Sequence, residues 1–279
     1  MFKSFTRSTT RLFSHLQTIS NHQHLFLSSL PKKNLERFYK TVDYVRTDSN
    51  DFEIILDKKK LKTPMGNVFS VPNEILASMI VLEWEAQREK IARDHMHLTA
   101  LANTVLDETI DLGDEKTFDK LLSYLEFDTV CYRNSSSLEL LKLQNENLDP
   151  IVQWFANRFD CSIAITETLS NLAISNETKN ILRKYLKSLN KWSLMGVIFA
   201  AENLKSLILT CALINRFISV QDAVRLSRIE ENYQASIWKS IESHHDLERY
   251  SLEARVSAAI IFILLNLEKN YITNFHVNK

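Results

Sequence analysis

The stretch YKTVDYVR at residues 39–46, followed by FEIIL at residues 52–56, decides the fold class of this chain. Both segments are rich in β-branched and aromatic residues, and turn-forming residues separate them, which is typical of strands. Two further strand candidates follow at residues 60–63 and 68–71. Because short strands joined by tight turns pair mainly with antiparallel partners, the sequence predicts a small antiparallel sheet.

A helix is predicted directly after the sheet, from Pro72 to about Glu89, since proline is favoured at the first helical position. Apolar residues recur along it at helical spacing. The stripe predicted to face the core consists of Ile75, Met79, Leu82 and Ala86.

From residue 98 to the end of the chain, helical periodicity dominates. The candidate helices cover residues 98–110, 117–126, 137–145, 150–159, 177–189, 194–217, 220–242 and 247–270. Brief loops between them favour a compact bundle. The sequence therefore predicts an α+β fold with a small N-terminal mixed α/β domain at residues 34–97 and a C-terminal helical bundle at residues 98–279.

The N-terminal 33 residues have the composition of a targeting leader. They contain five basic residues, ten serines and threonines and no acidic residue. If they form a helix, the apolar residues fall on one side and the basic residues on its flank. A basic, hydroxyl-rich, acid-free and amphipathic start is the pattern of a mitochondrial transit peptide. We therefore expect residues 1–33 to be a presequence that directs the chain to the mitochondrial matrix.

Charge and glycine content exclude several classes of function. Without the five basic residues of the leader, 29 basic residues remain against 34 acidic ones, a net charge of −5 that disfavours nucleic-acid and anionic-membrane partners. The apolar runs are too short to span a bilayer, so no stable membrane insertion is expected. The chain has only three glycines, and neither GxGxxG nor GxxxxGK[ST] occurs, so no nucleotide site is expected.

Histidines suggest a metal site as the first enzymatic alternative. His244, His245 and Asp246 are adjacent in the sequence. A site needs three or four converging ligands, often two histidines four residues apart on a helix, and this cluster lacks that spacing. A matrix metal-dependent hydrolase that uses these three residues nevertheless remains an alternative, although we expect no metal and no cofactor.

The segment LSRIEENYQASIW, residues 226–238, is the most informative part of the bundle. On a helix, an apolar stripe would face the core, formed by Leu226, Ile229, Tyr233 and Ile237. An adjacent face would carry an acid, an amide and a large aromatic side chain: Glu231, Gln234 and Trp238. This composition suits a protein-binding surface, but periodicity alone favours a buried tryptophan beside a solvated acid.

Short motifs in order along the chain carry a family resemblance. They are RFYK at 37–40, LD at 56–57, LKTP at 61–64, VP at 71–72, EWEAQ at 83–87, LT at 98–99, LD at 106–107, YL at 124–125, DT at 128–129, CYR at 131–133, DP at 149–150, EENYQ at 230–234 and HD at 245–246. Over roughly residues 36 to 255, the chain resembles the assembly factor 2 family of the mitochondrial F-type ATP synthase.

The resemblance implies a small mixed α/β unit followed by an orthogonal helical bundle, and a function without catalysis. Family members hold the unassembled α subunit of the ATP synthase in the matrix, prevent its aggregation and release it to β during assembly of the α3β3 head. An acid in the EENYQ motif matters in the family, which points here to Glu230 or Glu231. We expect the client-binding residues to be Glu230, Glu231, Gln234 and Trp238. A stable structural subunit of a mitochondrial complex is a third possible function.

Overall fold

The computed structural model describes residues 35–108, 115–168, 171–238 and 242–267, and the predicted leader lies outside them. The strands are β1 (Val42–Arg46), β2 (Phe52–Leu56), β3 (Lys59–Lys60) and β4 (Ser70–Val71). The α-helices are α1 (Glu74–Glu85), α2 (His97–Asp107), α3 (Glu115–Glu126), α4 (Leu138–Phe159), α5 (Asn176–Lys187), α6 (Lys191–Leu204), α7 (Leu207–Ile214), α8 (Val220–Ser227), α9 (Ile229–Trp238) and α10 (Glu242–Asn266). The predicted α+β fold is confirmed.

The sheet is built around β2, the apolar FEIIL segment. β1 pairs with one edge of β2, and β3 and β4 share its other edge, all antiparallel. Asp57 and Lys58 form the tight turn after β2, with φ angles of 46° and 69°. The Asp57 carboxylate accepts hydrogen bonds from the backbone N–H groups of Lys40 and Thr41, which fastens this turn to the start of β1.

Helix α1 exposes the face that the sequence predicted to be buried. The buried residues are Leu76, Ala77, Ile80 and Trp84, which pack against the sheet. Ile75 and Leu82, by contrast, are 59% and 62% exposed. The prediction was wrong because this helix is apolar on both faces, so spacing alone could not decide which one meets the sheet.

The division of the chain into helices also differs from the prediction at three points. Pro150 lies inside α4, so the two helices predicted on either side of it are one. The helix predicted at residues 194–217 is divided at Lys205, which adopts a left-handed conformation, and Ser206 then caps α7. The helix predicted at residues 220–242 is divided at Arg228, where φ is −115°.

Buried apolar residues form two clusters. One lies within the helical part, from Phe118 to Ile263. The other joins the sheet, α1 and α2 to one face of α6 and α10 through Trp192, Met195 and Phe262. Helices α6 and α10 therefore take part in both clusters. Within the described residues, no helix is long and apolar enough to cross a membrane.

Candidate functional site

The predicted binding helix is α9, and its first turn is anchored in the core. Leu226, at the end of α8, and Ile229, at the start of α9, are both buried. Arg228 stands between them, and its guanidinium group lies 3.0 Å from the Glu231 carboxylate and 3.2 Å from that of Glu248 on α10. The break between α8 and α9 thus places one arginine between two acids and ties α9 to α10.

Glu230 is directed inward, toward the loop before α4. Its Oε1 accepts a hydrogen bond of 2.9 Å from the Asn134 side-chain amide and one of 3.3 Å from Gln234. The backbone N–H of Asn134 in turn donates to Gln144 of α4 over 2.8 Å. Glu230 therefore joins α9 to the body of the bundle.

Buried charges fix the loop that carries Asn134. The Arg133 side chain is 2% exposed and lies 2.5 Å from the Asp149 carboxylate. It also donates to the Val130 carbonyl oxygen over 2.7 Å. Asp128 is fully buried and accepts hydrogen bonds from the backbone N–H groups of Val130 and Ile208. Burial raises the pKa of Asp128 to about 6, against the lowering effect of these hydrogen bonds.

Tyr233 provides a second link between α9 and α4. Its hydroxyl lies 2.9 Å from the Ser137 hydroxyl and donates to the Glu139 carboxylate over 3.2 Å. Ser137 is also the N-cap of α4. Tyr233 is half-buried, and Ile237 is 57% exposed. The predicted core stripe is therefore confirmed for Leu226 and Ile229, holds only in part for half-buried Tyr233, and is wrong for Ile237, which is exposed.

The outward side of α9 combines polar and apolar groups. Glu231 and Gln234 are exposed, as is Ile237, and the side chain of Trp238 lies outside the described part of the structure. The first turns of α10, which Glu248 ties to Arg228, expose Leu247 and Tyr250. We call Glu231, Gln234, Ile237, Leu247 and Tyr250 the α9–α10 surface. Such a mixture can form hydrogen bonds at the rim of an interface and bury apolar area at its centre.

Sequence patterns identified only part of this arrangement. Spacing placed Glu231 and Gln234 on one face, and both are exposed. Asn134 and Arg228 were missed. Asn134 is 96 residues from Glu230 in the chain, and no local pattern links them. The helix break at Arg228 lacks glycine and proline, the usual signals.

The alternative of a metal site at His244, His245 and Asp246 receives no support. The side chains of His244 and His245 are outside the described residues, and Asp246 is exposed, 3.8 Å from Arg249. Elsewhere in the described chain, no group of three or more His, Cys, Asp or Glu side chains could hold a metal ion.

Comparisons with known proteins point to one family. Residues 36–156 match the profile of the ATP12 chaperone protein family. The chain is 27% identical over 245 residues to the mitochondrial protein atp12 of Schizosaccharomyces pombe, which covers 84% of each protein. It is 24% identical over 289 residues to mitochondrial ATP12 of Saccharomyces cerevisiae, which covers 88% of each.

Solved structures agree with the sequence comparisons. Atp12 from Paracoccus denitrificans is 27% identical and superimposes with a TM-score of 0.74. The superposition covers 84% of this chain and 99% of the other. Atu1473 from Agrobacterium tumefaciens is 26% identical, with a TM-score of 0.75 and coverage of 84% and 86%. The matched family is a chaperone family, and Atu1473 is described as a chaperone, which leaves the hydrolase alternative without support.

Proposed function

Since the chain belongs to the ATP12 chaperone family and is a mitochondrial chaperone of ATP synthase assembly rather than an enzyme, we propose that its client is the unassembled α subunit of the F-type ATP synthase. In this proposal, the protein binds α in the matrix, prevents its aggregation and releases it to β as the α3β3 head forms. A subunit that waits alone exposes an interface that would otherwise self-associate.

The α9–α10 surface is the observation that carries this proposal. It joins an acid, an amide and exposed Ile237 on α9 to exposed Leu247 and Tyr250 on α10. The inner side of α9 is held by Glu230 and Tyr233. A firmly held helix loses little conformational freedom on binding, which favours affinity. A mixed polar and apolar interface, in contrast to a wholly apolar one, suits a partner that must later leave.

Of the two candidate acids, we propose Glu231 as the one that contacts the client. Glu230 already accepts hydrogen bonds from Asn134 and Gln234, which are part of the fold. The Glu231 side chain is 51% exposed, and Arg228 orients it without covering it. A client cation could therefore reach Glu231 directly. Gln234 and Trp238 remain proposed contacts on the same helix.

The test is co-expression of the full chain with the α subunit in the absence of β. We expect α to stay soluble and to co-elute with the chaperone on size exclusion, and β to displace it when added. If α aggregates regardless of the chaperone, the proposed client is wrong.

The matched pair Glu231→Gln and Glu230→Gln tests the assignment of the acid. Loss of one charge-assisted contact costs about 1–3 kcal/mol, so Glu231→Gln should weaken co-elution of α by roughly 5- to 150-fold. Its melting temperature should fall only slightly, because the ion pair that it loses with Arg228 is half-exposed at the Glu231 side. Glu230→Gln should instead lower the melting temperature, because an amide cannot accept both hydrogen bonds as well as a carboxylate. Equal retention of α by Glu231→Gln and by the wild type would contradict the assignment.

A further inference from the structure

The outward face of α1 is an apolar surface far in sequence from the α9–α10 surface. Ile75 and Leu82 are largely exposed, and Met79 between them is half-buried. These residues lie three and four positions apart, so they form one continuous stripe. Met79 packs partly against the sheet-containing cluster, but the fully buried residues that hold α1 on the sheet are on its other side. Ile75 and Leu82 are therefore not needed for packing within the described part of the chain.

This stripe leads into a groove of about 580 Å³ between α1 and the start of α2. Its apolar wall is formed by Met79, Leu82, Ala86, Ala92 and Leu98. Arg88, Lys90 and His95 stand at its rim and are exposed. Neither Arg88 nor Lys90 forms an ion pair with any described residue, so both cations are available to a partner.

Hydrogen bonds connect the two walls of the groove. The Glu83 carboxylate accepts from the backbone N–H groups of Leu98 and Thr99, both over 2.8 Å, and so caps the first turn of α2. The Gln87 side chain accepts from the backbone N–H of Ala92 over 2.7 Å. The two walls are therefore fixed relative to each other, as in a preformed binding site.

We propose that this groove, together with the apolar stripe of α1, is a second contact for the client: it binds an apolar segment of the α subunit that has an acidic residue beside it. This inference rests on the proposed function. From Ile75 to Ala86 the stripe is about 16 Å long, at 1.5 Å per helical residue. A small molecule would fill the groove and leave Ile75 in water, whereas a polypeptide segment covers both.

Charge distinguishes the client from the chain's own leader as the occupant. The rim is basic although the chain without its leader carries a net charge of −5, so it favours an acidic partner. The leader, with five basic residues and no acid, would be repelled by the rim cations.

Photo-cross-linking of the full chain tests the proposal directly. A photoreactive residue at Leu82 should cross-link to co-expressed α, whereas the same residue at Met65, an apolar side chain that is 73% exposed outside the groove, should not. Cross-linking from Leu82 to a second copy of the chain would overturn the proposal and identify a self-interface. Cross-linking to neither would overturn it as well.

Paired substitutions give an independent readout. Leu82→Glu should reduce soluble α about tenfold, and Met65→Glu should change it less than about twofold, with equal melting temperatures. The double variant Arg88→Glu, Lys90→Glu should weaken binding more at low than at high salt. The control Lys58→Glu, Lys59→Glu makes the same change in charge at the turn after β2 and the start of β3, and it should not weaken binding.

The two proposals fail in different ways. If the wild type holds α and Leu82→Glu holds it equally well, the groove has no role and the proposed function stands. If the wild type itself does not hold α, both proposals are wrong.

Discussion

Two buried charges determine the position of the loop that faces α9. Asp128 accepts backbone hydrogen bonds from Val130 and Ile208, and Arg133 donates to the carbonyl oxygen of the same Val130. Burying either charge without partners would cost several kcal/mol, so each is stable only because its hydrogen-bond partners are in place. The DT and CYR motifs therefore have a structural role: they hold Asn134 where Glu230 can accept its hydrogen bond.

Replacing Asp128 with asparagine should destabilise the fold in a pH-dependent way. The amide NH2 group would face backbone donors, at a cost of about 1–3 kcal/mol. In the wild type, the folded pKa of about 6 lies above the ordinary value of 3.8, so the folded state binds more protons between these pH values. This group's contribution to stability is therefore largest below pH 4 and declines as the pH rises to 6.

The corresponding measurement is urea denaturation of both proteins at pH 5.0 and 7.5. The stability lost on Asp128→Asn should be greater at pH 5.0, because the wild type has lost less of this contribution there. A loss that is independent of pH would mean that the pKa of Asp128 is not raised.

Sequence could predict the exposed acid on α9 but not what lies behind it. The 3.6-residue period places Glu231 and Gln234 on one face, a local property of any helix. Whether Glu230 or Glu231 is free for a partner depends on Asn134, whose position is set by the fold of the intervening chain. A choice between adjacent residues that depends on a distant contact is outside the reach of a local pattern.

Helix α1 shows the same limit at the scale of an element. The helix itself was predicted from its position after Pro72 and its apolar content, and the structure starts it within two residues of the prediction. Its orientation was not predictable, since Ile75 and Leu82 are as apolar as Leu76 and Ile80. The apolar outward face of α1 is explained if a partner covers it. This is the basis for the proposal that the client binds the stripe and the groove beside it.

Pro150 within α4 should be a local cost to stability. Proline lacks the N–H that would bond to the carbonyl four residues earlier, and an interior proline costs about 3 kcal/mol relative to alanine. Pro150→Ala should therefore stabilise the fold by about 1–3 kcal/mol. Alanine also gives the unfolded chain more conformational entropy than proline does, which reduces this stabilisation slightly. Asp149→Ala serves as the comparison, because it removes the partner of buried Arg133 and should destabilise. Thermal denaturation that shows no gain for Pro150→Ala would indicate that packing around the ring compensates for the missing hydrogen bond.

The α6–α10 contact depends on the small size of Gly196. A Cβ at this position would lie 2.5 Å from Ile263 Cγ1 and 3.2 Å from the Ala259 carbonyl oxygen. Gly196→Ala should therefore cost about 1–3 kcal/mol from overpacking, despite the better helix propensity of alanine.

A double-mutant cycle with Ile263→Ala tests that cause. Removal of the Ile263 side chain takes away the nearest obstacle, so Gly196→Ala should cost much less in the Ile263→Ala background. Additive effects would show that steric contact with Ile263 is not the reason for the loss.

At the scale of the whole molecule, α6 and α10 join the two apolar clusters. Helix α10 is about 37 Å long at 1.5 Å per residue, enough to pass both. Phe262 faces the sheet-containing cluster and packs against Trp192, with ring centroids 5.7 Å apart, whereas Ile263 belongs to the helical cluster. Adjacent residues of one helix thus stabilise different clusters, and neither cluster is complete without α10.

We therefore expect the two clusters to unfold in a single cooperative transition. Variants that retain only Trp84 report on the sheet-containing cluster, and variants that retain only Trp154 report on the helical one. Their urea midpoints should coincide, and Phe262→Ala, at a cost of about 3–5 kcal/mol, should lower both equally. Phe118→Ala, within the helical cluster alone, is the control and should also move both midpoints together. If Phe262→Ala shifts only the Trp84 signal, the two transitions are independent, and α10 passes through two separately stable units. The groove on α1 and the α9–α10 surface could then move relative to each other while both contact one client.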